Sequence, residues 1–108
     1  PAPIVDNEPR VREKLFAVLA ALRNGTLPPA DFAYVRAGFF PSGAESYRRT
    51  LGRIGMPSRA VLLERRELGD DRLYLYELTF GAQTMLARIG LAPDNRVSQF
   101  SLRPKAAP

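Results

Sequence analysis

The spacing of apolar residues changes once along this chain, at Ser58, from helical to strand periodicity, and that change restricts the architectures open to it. Before it, Val11, Leu15, Val18, Leu19 and Leu22 fall on one helical stripe, and Tyr47, Leu51 and Ile54 fall on another. After it, apolar and polar residues alternate along residues 60–67, 72–80, 84–91 and 97–103. Helices gathered in the first half and closely spaced strands in the second specify an α+β domain, with helices packed on one face of a four-stranded antiparallel meander.

Asp6 or Asn7 is placed to cap the first helix, Glu8 and Pro9 suit its first turn, and Asn24-Gly25 followed by Pro28-Pro29 ends it. A short helix over residues 31–35 would insert Phe32, Tyr34, Val35, Phe39 and Phe40 into the core. Ser42 and Glu45 have capping-box spacing, and Gly55 with Pro57 closes the helix they begin. Turns are expected at Gly69-Asp70-Asp71, at Gly81-Ala82 or Ala82-Gln83, and at Pro93-Asp94-Asn95.

The middle hairpin has a defined facing. Tyr74, Tyr76, Leu78 and Phe80 share one side of their strand, opposite Met85, Ala87, Ile89 and Leu91, while Glu77 and Arg88 lie opposite or diagonal on the other side. In the last strand Val97 and Phe100 differ in parity, so a bulge near Ser98-Gln99 is expected.

At 108 residues the chain has the size of a single domain, and the Pro/Ala-rich segments 1–6 and 104–108 read as linker or tail. The start at proline fits a processed chain or an excised domain. The absence of cysteine and histidine removes thiol nucleophiles, Cys/His metal sites and imidazole bases, and leaves the compartment open. No apolar run is long enough for a membrane helix. The net charge of +5 arises from 16 basic residues, only Lys14 and Lys105 being lysine, against 11 acidic ones. Because these arginines are dispersed and many have acidic neighbours, as in Glu64-Arg65-Arg66-Glu67, they describe a solvated surface rather than a nucleic-acid stripe.

The run Arg72-x-Tyr74-x-Tyr76-x-Leu78-x-Phe80-Gly81, then Leu86, Pro93-Asp94-Asn95-Arg96-Val97 and Phe100-x-Leu102-x-Pro104, resembles the small C-terminal domain that follows the catalytic domain in some β-lactamase-family serine hydrolases. The resemblance covers about the last two-thirds of the chain, and Asn95 stands where an Asp-Gly turn is usual. It implies an NTF2-like (cystatin-like) cone, with helices in the concave side of a curved sheet, and a periplasmic or secreted location. It also implies that the active serine lies on another domain. In keeping with that, Ser-x-x-Lys, Tyr-x-Asn and Gly-x-Ser-x-Gly do not occur here.

The function expected on this basis is a noncatalytic accessory domain that packs on its parent catalytic domain or forms a homodimer. The candidate interface is the outer sheet face, with Leu75, Glu77, Thr79, Leu86 and Arg88. The alternative is a small-ligand protein with a pocket among Asp31, Tyr34, Phe39, Tyr47, Tyr76, Phe80 and Phe100. Within that pocket Asp31 with a tyrosine would serve an isomerase or dehydratase. No residue pattern calls for a cofactor, a metal or a nucleic acid, and the acidic pair Asp70-Asp71 is ordinary turn chemistry.

Overall fold

The computed structural model describes residues 2–106. Helix α1 (Pro9–Asn24) buries the five residues of the apolar stripe, Val11, Leu15, Val18, Leu19 and Leu22. It begins with Pro9 in the first turn, where a missing N–H costs nothing, and it ends at Gly25 with φ of 71°. The Gly25 N–H donates to Leu22 C=O and the Thr26 N–H to Ala21 C=O, so the last carbonyls are satisfied by a Schellman arrangement. The cap position is Glu8 rather than Asp6 or Asn7, and its side chain turns away from the helix toward the sheet.

The segment expected to be helical over residues 31–35 takes another course. A 3-10 turn occupies Pro29–Asp31, then Phe32 becomes extended (φ −102°, ψ 139°) and pairs with Val97. Phe32 is buried, whereas Tyr34 and Val35 are 64% and 43% exposed, so neither enters the core. The pairing of Phe32 and Ala33 with a strand accounts for the change, because it takes backbone groups a helix would have used. After a wide turn at Phe39–Gly43, helix α2 (Ala44–Ile54) packs beside α1 and buries Leu51. The capping box does not form: Gly43 is already helical, and Glu45 pairs with Arg48 at 2.8 Å.

Strands β1 (Arg59–Leu68), β2 (Asp71–Phe80), β3 (Gln83–Leu91) and β4 (Val97–Pro104) form an antiparallel sheet in sequence order. In the central hairpin Tyr74 pairs with Ile89, Tyr76 with Ala87 and Leu78 with Met85, all buried, while Phe80 pairs with Gln83 across the Gly81-Ala82 turn. These inner-face residues meet both helices in one core.

Two bulges shape the sheet. Ser98 is the extra residue in β4, between Gly90–Gln99 and Leu91–Val97, and it brings both Val97 and Phe100 into the core. Leu63 is the extra residue in β1, between Leu62–Tyr76 and Glu64–Leu75, and it turns Arg65 to the helix side opposite Tyr74. Near both ends, described residues hydrogen-bond to the sheet. Ile4 N–H donates to Leu62 C=O at 2.9 Å, Pro104 belongs to β4, and Lys105 N–H donates to Thr84 C=O, while Ala107 and Pro108 lie outside the described residues.

Among the described residues no helix is long and apolar enough to cross a membrane. At the β4 bulge, a Cβ added to Gly90 would lie 2.8 Å from both Leu73 Cδ2 and Ser98 Oγ. Gly90→Ala should therefore destabilise the fold by about 1–3 kcal/mol, read from urea unfolding, through overpacking alone.

Candidate functional site

Two sites collect polar chemistry and open space. The first lies where the N-terminal segment crosses the inner face of the sheet. Tyr74 donates its hydroxyl proton to Glu8 Oε1 and Tyr76 donates to Asp6 Oδ2, each at 2.9 Å. Arg65, placed there by the Leu63 bulge, donates from Nε to Glu8 Oε2 at 2.6 Å, and its guanidinium lies 5.5 Å from the Tyr74 ring centroid.

The hydrogen bond from Arg65, with that from Tyr74, holds the Glu8 carboxyl below its ordinary value, outweighing its desolvation. Burial first, then the adjacent Glu8, raises the Tyr74 phenol. Burial, then Asp6, raises Tyr76 much further. Both phenols are thus held neutral, each spending its proton on a carboxylate. Asp6, Glu8, Tyr74 and Arg65 were not among the expected site residues, because 57 residues separate Glu8 from Arg65 and only the bulge unites them.

The second site is an open cavity of about 310 Å³ between the extended segment at Phe32 and the edge of β4. Its walls include Phe32, Tyr34, Arg36, Phe39, Gln99 and Phe100. Behind it the rings are in chain contact: Phe32–Phe39 centroids are 5.2 Å apart, Phe39–Tyr47 6.1 Å and Tyr47–Phe100 5.4 Å. Of the expected pocket residues, Tyr34, Phe39, Tyr47 and Phe100 are therefore brought together. Tyr76 and Phe80 are instead buried in the core, and Asp31 sits in the 3-10 turn, absent from the cavity wall. The Tyr47 hydroxyl is engaged as acceptor from Leu102 N–H at 3.3 Å.

On the outer face Leu75 is buried, together with Leu63 and Leu73, so it offers little surface. Glu77, Thr79, Leu86 and Arg88 are half-buried around it. Glu77 is diagonal to Arg88 and pairs instead with Lys105 Nζ at 2.5 Å. A third opening, about 500 Å³, lies beside Arg10, Lys14 and Arg72, but Glu8 already places a carboxylate in its wall. Among the described residues no three carboxylates converge where a metal ion could bind.

The tyrosine–carboxylate pairs dictate the pH profile of stability. Glu8 is lowered on folding, so its contribution is full above about 4.5 and fades as pH falls through the lowered value. Tyr74 and Tyr76 are raised, so their contribution is full below about 10 and fades as pH climbs toward the raised values. With no histidine in the chain, urea midpoints should be flat between roughly pH 6 and pH 9. Glu8→Gln should cost about 1–2 kcal/mol at pH 7 and flatten the acid limb, while Tyr74→Phe should soften the alkaline limb.

No protein-family model, curated protein or solved structure matches this chain, which leaves its functional reading to its own geometry.

Proposed function

We propose that this chain is a noncatalytic accessory domain that works by protein interaction, and that its parent is a serine hydrolase or peptidase. The observation that supports this most directly is the exposed pair Tyr34 and Val35, held on a short loop beside the edge of β4 and its open aromatic cavity. An exposed aromatic next to an apolar cleft is the anchor-and-pocket arrangement that concentrates binding energy at interfaces. The parent assignment rests on the residues of the sheet and its turns, from Arg72 to Pro104, that resemble the C-terminal domains of such hydrolases. NTF2-like identity belongs to the same proposal and draws on the observed layering, two helices packed on a bulged four-stranded antiparallel sheet.

The interacting surface in this reading differs from the outer sheet face. There Leu63, Leu73 and Leu75 are buried, whereas Tyr34 and Val35 are open. A second reading, a small-ligand protein, draws on the aromatic cavity alone, whose volume is at the lower end of ligand sites.

Tyr34→Asp with Val35→Asp should leave circular dichroism and the thermal midpoint unchanged, since both side chains are exposed. The double variant should weaken association with the parent catalytic domain, or with a second copy, by roughly tenfold or more in sedimentation velocity. Robust hydrolytic turnover by the 108-residue chain alone would overturn the noncatalytic reading.

A further inference from the structure

Building on the interaction reading above, we infer that the free edge of β4 accepts an extended peptide segment as a fifth strand, with an apolar side chain in the aromatic cavity and an acidic one near Arg36. The Lys105 N–H to Thr84 C=O bond sets the alternation of the β3–β4 ladder. Counting back through the register, Arg103 and Ser101 point their backbone groups at β3, while Leu102 and Phe100 point theirs away. The bond from Leu102 N–H to the Tyr47 hydroxyl agrees with that alternation. The N–H and C=O of Phe100 thus face the open edge, and neither has a hydrogen-bond partner outside the sheet among the described residues.

The same edge already receives a strand-like partner at Val97, on one side of Phe100, and the Tyr47 hydroxyl at Leu102 on the other. Ala33 N–H donates to Val97 C=O at 2.7 Å, and the chain then turns away at Tyr34. A residue added opposite Phe100 projects its side chain to the same face as the Phe100 ring, toward Phe32 and Phe39. The cavity of about 310 Å³ lies there.

Charge selects the peptide. Arg36 lines the cavity and Arg103 is exposed farther along β4, and neither has an ion-pair partner among the described residues. The opposite edge differs: β1 carries the charged run Glu64-Arg65-Arg66-Glu67, Ile4 occupies Leu62 C=O, and Leu68 at the strand end is exposed. Strand addition is the binding mode that uses main-chain groups for affinity and alternate side-chain pockets for specificity.

The probe is a set of synthetic ten-residue peptides in which valine alternates with glutamate, the same peptides with lysine for glutamate, and a glutamate version interrupted by proline. Titrated into the isotopically labelled 108-residue chain, the valine–glutamate peptide should shift the amides of residues 97–102. The lysine version should bind roughly three- to tenfold more weakly, Arg36→Glu should reverse that preference, and the proline version should not bind. Shifts confined to the outer face, or equal binding of the proline version, would overturn strand addition. Sedimentation of the same samples separates the two levels. Self-association that depends on Tyr34 and Val35, without peptide binding at Phe100, would overturn the peptide occupant and leave the interaction reading standing.

Discussion

The ion pair between Glu8 and Arg65 joins the residue that opens α1 to the strand that opens the sheet, and it ties the two layers together at one corner of their shared core. Tyr74 completes the junction from β2, and Asp6 repeats it one pair along with Tyr76. Both tyrosine rings are buried while their hydroxyls reach carboxylates, so the two rings add large apolar area to the core with their own polar atoms satisfied. With the first helix fixed at this corner, Leu15, Leu19 and Leu22 join the inner-face residues of the sheet in one core.

Filling the interior moves the available chemistry to the rim. The phenols that would serve a proton-transfer site are tied to Asp6 and Glu8, and Asp31 stands apart from them. The two edges of the sheet also differ in kind. β1 is charged at Glu64-Arg65-Arg66-Glu67 and partly covered by the N-terminal segment, with Leu68 exposed at its end. Beside β4 lie aromatic rings, the exposed side chains of Tyr34 and Val35, and Arg36, on which the interaction proposal rests.

Much of the fold was legible in the sequence because it depends on local periodicity. The helical stripe of Val11 to Leu22, the facing of Tyr74, Tyr76 and Leu78, and the β4 bulge inferred from the parity of Val97 and Phe100 all appear as read. The left-handed Asn95, with φ of 68°, likewise accepts the turn before β4. The Leu63 bulge left no such parity conflict, since Arg65 and Glu67 are polar and either face of β1 would have suited them. Losing that bulge from view concealed Arg65, and with it the roles of Glu8 and Asp6. The segment after Asp31 was misread for a related reason, because its conformation is set by Val97, 65 positions beyond Phe32, rather than by its own residues.

The open edge of β4 is the feature on which the functional account turns, and residue-resolved hydrogen exchange of the isolated chain tests it most directly. The account predicts fast exchange for the Phe100 amide between slow neighbours, Gln99 and Ser101, whose N–H groups point at β3. A Phe100 amide as slow as its neighbours would contradict it, because the edge would then already be closed.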